Sequence, residues 1–447
     1  MTAYDLAYGL AIAVASPFWL LSAKLRPRIL DAIRRRNGDV PAAASNAPAI
    51  LIHAVSMGEI NATTSLVKTL AAARPDLRFI ISTTSRTGQE RARQLYESNP
   101  RVTRVRFPFD FSRSVARLLD AQRPSVAVLM ELEVWPNFMR ECERRGIPVI
   151  LVNGRLSAHS FRGYRLAGLF TRKMFKRLAM ACVQDEVYAG RFDKVGVPID
   201  RIRVTGTMKF DTAEIADEIA GADMIARAVG LRPGEDKIWV CGSTGPGEEQ
   251  IVLQAYAKSL AKFPALRLVI VPRHPQRFDE VAEFIRGQGH SILRRSQAAV
   301  GSKTSQAGPA VILGDTMGEL RKFYSLADVV FVGRTLVDLG PKQHGSDMIE
   351  PAALAKPIIV GPYTGNFADV MNGFRAGGAI VEVRDQTSLQ AAVDRLLSGP
   401  AVAEDLGRKA QDFVRANQGA TVRHSEVILG HFPADAGSSP LHGSGPG

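Results

Sequence analysis

The residues best placed to do chemistry stand where apolar runs give way to helical patterns. His53-Ala-Val-Ser-Met-Gly-Glu59 follows Ala49-Ile-Leu-Ile52, so a carboxylate sits at the mouth of a strand-to-helix turn. Ser56 can cap the helix, Gly58 would let the backbone turn sharply, and Glu59 falls in the first helical turn, where it can face a cleft. The same residues also spell a plain capping box. Glu131-Leu-Glu133-Val-Trp135-Pro-Asn137 follows another apolar run, Ser125–Met130. A helix start with Pro136 in its first turn explains Pro136 and Asn137 but not the two acids, one of which could orient a substrate amine or hydroxyl or position Glu59. Asn153-Gly-Arg155 and Thr83-Thr-Ser-Arg86 put a polar turn and two arginines at further strand ends, where a guanidinium can clamp a phosphate or carboxylate.

The second half carries a cationic set whose character is nucleotide binding. Gly242-Ser243-Thr244-Gly245-Pro-Gly-Glu-Glu249 ends a strand and opens a helix, a place suited to an anion, and it lacks the Lys-Ser/Thr close of a Walker loop. Pro272-Arg273-His274-Pro275-Gln-Arg277 places two cations and an imidazole at a strand end, with prolines restricting the backbone around Arg273-His274. Gly314-Asp-Thr-Met317-Gly318-Glu319 is another such turn, and Glu350-Pro351 offers a carboxylate that could accept both hydroxyls of a ribose.

Elements that would position these groups follow from the pattern of apolar runs. The chain has 447 residues, which suggests two or three domains, and 46% hydrophobic with 23% charged residues is a globular balance. Short unalternating runs separated by helix-length segments predict parallel strands covered on both faces, seven in the first half and six in the second. Two doubly wound Rossmann-like domains result, expected over 37–215 and 216–432, with a disordered tail at 433–447. A net charge of +13 calls for an anionic partner, and nucleic acid is the weaker choice because no nucleic-acid-binding signature is present. Cys142, Cys182 and Cys241 are scattered and read as buried thiols in a reducing compartment.

Residues 1–36 form a separate feature. Leu6–Ala23 is apolar and is followed by Lys24, Arg26, Arg28 and Arg34-Arg-Arg36. Its length is near the lower limit for spanning and Pro17 would kink it, so a single pass and a half-buried interfacial helix are both compatible. The positive-inside rule places the rest of the chain in the cytoplasm, and each basic residue near anionic inner-membrane lipid would contribute about 1 kcal/mol of attraction.

Taken in order, His53–Glu59, Glu131–Asn137, Asn153–Ser157, Thr205–Asp211, Arg273–Arg277, Asp315–Leu320, Glu350-Pro351 and Gly365–Phe367 resemble the 3-deoxy-D-manno-octulosonic acid (Kdo) transferases. That resemblance implies a GT-B fold, two Rossmann-like domains facing a cleft with an N-terminal membrane anchor. It further implies inverting transfer of Kdo from CMP-Kdo to a lipid A precursor, with no metal or cofactor, at the cytoplasmic face of the bacterial inner membrane. Glu59 would then be the base, and Glu133, or else Glu131, the second important acid. Ser56, Gly58, Arg86, Glu131, Asn153 and Arg155 would serve the acceptor. Ser243, Thr244, Arg273, His274, Arg277, Met317, Gly318, Glu319, Asp347, Glu350 and Lys209 would serve the donor. Departures fall on the donor side: Gly245 stands where the family has histidine, Arg334 where a paired glycine is expected, and Asp347 where it has asparagine. They keep open a paralogue with another sugar or acceptor, and a non-catalytic membrane-tethered relative.

Overall fold

The computed structural model describes residues 2–21, 26, 40–216, 218–298, 310–340 and 343–432. It divides into two compact units, Met1–Thr212 with Gln418–Gly447, and Ala213–Asn417. Unit 1 is built on a parallel sheet of β1 (Ala49–His53), β2 (Arg78–Thr83), β3 (Val102–Arg106), β4 (Val126–Met130), β5 (Val149–Gly154), β6 (Met180–Val183) and β7 (Ile202–Val204). Their order is β3-β2-β1-β4-β5-β6-β7. β1, β2, β4 and β5 are buried along their whole length, because helices cover both faces and leave no polar side for alternation. One face packs Leu51, Ala127, Leu129 and Leu151 against Phe138 and Phe175, the other Ile50, Ile52 and Val128 against Leu66 and Leu70.

Unit 2 repeats the design with β8 (Lys237–Thr244), β9 (Leu266–Pro272), β10 (Ile292–Arg294), β11 (Val311–Leu313), β12 (Val329–Val332), β13 (Ile358–Val360) and β14 (Val381–Glu382). This sheet is also parallel, in the order β10-β11-β9-β8-β12-β13-β14. Its core holds Trp239, Leu268, Ile270 and Phe331. β10 lies outside the predicted strands, since Ile292-Leu-Arg is half-exposed and too short to make an apolar run.

In each sheet the chain reverses its direction of travel between two neighbouring strands, β1 and β4 in unit 1 and β8 and β12 in unit 2. Such a reversal opens a crevice at the strands' carboxyl ends. Glu59 and Glu131 follow β1 and β4, and Gly245 and Gly333-Arg334 follow β8 and β12.

One expectation needs correction. The second unit does not run to 432: helix Ala420–Leu429 returns to unit 1, where Ala420, Val427 and Ile428 pack with Ile52 and Leu66. Asp211 anchors it by accepting N–H bonds from Gly419 at 2.6 Å and Thr421 at 2.5 Å, a pairing too distant in sequence to be seen as a cap. Among the described residues no helix is long and apolar enough to cross a membrane, and the expected apolar stretch Leu6–Ala23 runs past Leu21 into residues outside the described ones. Helix Ala3–Leu20 exposes Leu6, Leu10, Val14 and Phe18. Its first turn is tied down: the Asp5 carboxylate accepts from Ser112 N–H at 2.8 Å and Asn137 Nδ2 at 3.1 Å, and Thr2 Oγ1 donates to Asn137 Oδ1 at 2.7 Å. Of the basic run after this helix only Arg26 is described, and the tail from Pro433 lies outside the described residues.

Candidate active site

In unit 1 the turn after β1 is organised by Glu59. Ser56 caps helix Met57–Ala73 by accepting from Glu59 N–H at 3.1 Å, while the Glu59 carboxylate accepts from Ser56 N–H at 3.1 Å and Val55 N–H at 2.9 Å. The box orients the side chain with two backbone donors and leaves carboxylate lone pairs for a further partner. Both acids after β4 feel its charge. Glu133 is pushed up to about 7, first by burial and then by Glu59, against a stabilising bond from Trp135 Nε1 at 3.2 Å. Glu131 is raised by burial and Glu59, and lowered by Arg155 and Lys209. Glu131 and Asn153 hold φ of 55° and 54°, left-handed conformations that cost non-glycine residues free energy. Two carboxylates of raised proton affinity beside Glu59, with strained backbone at a sheet reversal, mark this as the candidate site in unit 1.

Beside this turn lies a cavity of about 500 Å³ lined by Thr83, Arg86, Glu90, Arg93, Arg104 and Arg106 among others. Thr83 and Ser85 hydroxyls donate to the Val55 carbonyl at 3.4 and 2.6 Å, joining the cavity wall to the Glu59 turn. Gly88 permits that approach, as a Cβ there would stand 2.5 Å from Thr83 Oγ1.

Unit 2 has the opposite sign at its reversal. Arg273 follows β9 and donates its N–H to Thr244 O at 3.0 Å, and His274 is held below its ordinary pKa by burial and by Arg273, Arg334 and Arg277. Arg334, just after β12, is lowered by burial and by Arg273. Glu350 is pushed up to about 7 by burial and by Asp347, opposed by Arg321 and Arg273. Among the described residues no group of three or more His, Cys, Asp or Glu is placed to hold a metal ion.

Residues 31–212 match the family described as 3-deoxy-D-manno-octulosonic-acid transferase (kdotransferase). The 3-deoxy-D-manno-octulosonic acid transferase of Haemophilus influenzae is 32% identical over 92% of this chain and 93% of its own. The chain belongs to the Kdo transferase family. Its counterpart from Bordetella pertussis is 32% identical over 86% of this chain and 89% of its own. A solved glycosyltransferase from Rickettsia africae shares the two-sheet architecture, with a TM-score of 0.56 at 14% identity over 87% of this chain and 99% of that one. As a member of that family the protein is a glycosyltransferase, built on the paired parallel sheets of the GT-B fold.

Within that family assignment the structure sorts the expected site residues. Glu59, Glu131, Glu133, Arg155 and Lys209 come together in unit 1. Lys209 therefore stands with the acids, where the expectation had it on the donor side. Asn153 is buried and gives its Oδ1 to Met208 N–H at 3.2 Å, holding the loop that carries Lys209. Gly58 is an ordinary helical residue without positive φ, so it makes no sharp turn; a Cβ there would meet only Ser56 Oγ, at 3.9 Å. Arg277 is committed to Glu249 in a buried bidentate pair at 2.8 and 3.2 Å, which removes it as a free cation for a leaving group. Thr244 serves the same acid, donating to Glu249 Oε1 at 2.8 Å, and Ser243 holds φ of 58°. Met317 is exposed, Gly318 turns with φ of 83°, and Glu319 pairs with Arg295 at 3.1 Å. Asp347 caps the following helix through Ile349 N–H at 2.8 Å.

Three contributors escaped the sequence reading. Glu248, buried, accepts N–H bonds from Gly245, Arg334, Thr335 and Leu336 at 2.6–2.9 Å and so ties together the ends of β8 and β12. The double acid after Gly247 was its only signal. Trp135 donates its indole N–H to Glu133 and opposes part of the rise in that carboxyl's pKa. Buried His424 receives Asn153 N–H at 3.2 Å and bonds Thr205 Oγ1 at 2.9 Å, a contact across 271 residues that no local pattern announces.

Proposed function

We propose that this chain transfers Kdo from CMP-Kdo to a lipid A precursor with inversion and without a metal, at the cytoplasmic face of the bacterial inner membrane. The observation that carries this reading is the carboxylate group of Glu59, Glu131 and Glu133 at the reversal of the first sheet. Glu59 takes the proton from an acceptor hydroxyl as its oxygen attacks the anomeric carbon, and CMP departs from the opposite face. The two N–H groups on the Glu59 carboxylate hold it aimed before the proton moves. As the sugar becomes oxocarbenium-like, negative charge gathers on the leaving phosphate, and Arg273 meets it. Glu350 accepts the ribose hydroxyls. The phosphates of the acceptor fit the arginine-lined cavity of Arg86, Arg104 and Arg106 beside the Glu59 turn.

The same reading gives helix Ala3–Leu20 an interfacial place in the bilayer surface, its exposed leucines in lipid. Its first turn is bonded to Asn137, two residues beyond Trp135, so a lipid-borne acceptor would arrive close to the acids. The test is incubation of the detergent-purified chain with CMP-Kdo generated in situ and a tetra-acylated lipid A precursor, followed by acceptor mass. A Kdo increment supports the reading; no increment with CMP still bound contradicts the acceptor, and no CMP binding contradicts the donor.

A further inference from the structure

Two of the three donor-side departures, Gly245 and Arg334, are coupled in space. Gly245 and Arg334 donate their N–H groups to the same oxygen, Glu248 Oε2, at 2.8 and 2.6 Å. A Cβ built on Gly245 would lie 3.0 Å from Arg334 Cγ and 2.6 Å from Leu339 Cδ1. The arginine side chain therefore lies over the glycine, and a histidine at 245 would require both Arg334 and Leu339 to move. Backbone geometry argues that the exchange is not incidental. Arg334 holds φ of 61°, a conformation natural to the glycine expected there and costly to an arginine. Gly345 N–H fixes the position by donating to Arg334 O at 2.7 Å.

Its electrostatics are unfinished. Arg334 Nε is buried without a hydrogen-bond partner, and among the described residues the guanidinium makes no salt bridge. Arg273 and His274 are its electrostatic neighbours. Glu248 offsets part of this charge, but its carboxylate already receives four backbone N–H groups. Two guanidinium groups held together with an unsatisfied donor make a site for an oxyanion.

We propose that Arg334 is a donor-binding residue, taking the place of the imidazole absent at 245 and binding, with Arg273, an oxyanion of the activated sugar. The inference rests on the CMP-Kdo reading above. The donor offers two such groups, the phosphate and the sugar carboxylate. Calorimetric titration of CMP, together with KM for CMP-Kdo, is to be measured on wild type, Arg334→Gly, and Arg334→Gly with Gly245→His. Arg334→Gly relieves the left-handed strain, so its thermal midpoint should not fall, and a loss of binding cannot be assigned to misfolding.

Arg334→Gly is expected to weaken CMP by about tenfold or more, as for loss of a charge-assisted bond, and Gly245→His in that background to recover most of the loss. Unchanged CMP affinity with a raised KM for CMP-Kdo assigns the oxyanion to the sugar carboxylate. Both quantities within about twofold of wild type, or a double variant no better than the single one, overturn the proposal. Failure of wild type itself to bind CMP overturns the donor reading and this inference with it.

Discussion

The two sheet reversals share one topology and carry opposite chemistry. In unit 1 the ends of β1 and β4 gather Glu59, Glu131 and Glu133; in unit 2 the ends of β8, β9 and β12 gather Arg273, His274 and Arg334. One topology thus presents carboxylates at its reversal in one half and cations in the other, and the side chains that follow the strands make the difference. Each half also spends a carboxylate on its own backbone. Glu59 closes a capping box yet remains available to a ligand, whereas Glu248 is consumed by four N–H groups and serves only to bind two strand ends together. A glutamate at a strand-to-helix turn therefore does not declare its role by position.

The sharpest way to break the comparison is through a pair that only looks like part of it. Arg277 carries the motif of a donor cation but is engaged by buried Glu249. Glu249→Ala should cost about 3–5 kcal/mol of stability, the usual effect of leaving a buried charge unpaired, in a chemical unfolding curve. A variant that keeps its stability and loses only donor affinity would return Arg277 to the binding site. Next in size is the pH behaviour of Glu133. Its carboxyl titrates near 7, above the ordinary 4.5, so the folded state disfavours its ionisation. The resulting stability is present below pH 4.5 and lost as pH rises through 7. Glu133→Gln should therefore be more stable than wild type at pH 8 and equal to it at pH 4, with kcat lower by about 10²-fold. Equal stability at both values would remove the strain assigned to this group. Trp135→Phe sharpens the same point, since loss of its N–H should move the kcat limb near 7 to higher pH. An unmoved limb would detach Trp135 from the titration.

A still smaller effect belongs to Gly58. Because it is an exposed helical residue with open space around its Cα, Gly58→Ala should stabilise by about 0.5–1 kcal/mol. If acceptor KM rises at the same time, the bare backbone there is a contact surface; if not, it is an ordinary glycine.

Legibility in the sequence followed the range of the forces. Apolar runs such as Ala49–His53 and Val126–Met130 announced strands because burial on both faces acts residue by residue. The residues after them were found for the same reason, and Glu59 even revealed its capping box. What escaped depended on pairing over distance. Helix Ala420–Leu429 changes units through Asp211, and His424 holds Asn153, both contacts that close only after the sheet is formed. Arg277 was misjudged for a related reason: a motif shows which cation is present, while a partner such as Glu249 decides whether it is already engaged.

The central claim is that Glu59 does chemistry and the cations of unit 2 do binding. Glu59→Gln keeps the capping box, since glutamine serves that position, but removes the base. Transfer rate and CMP affinity measured on this one variant test the claim directly. The account predicts a kcat lower by about 10²–10⁴-fold with CMP affinity unchanged. A variant that transfers at the wild-type rate, or that loses CMP in step with its rate, contradicts it.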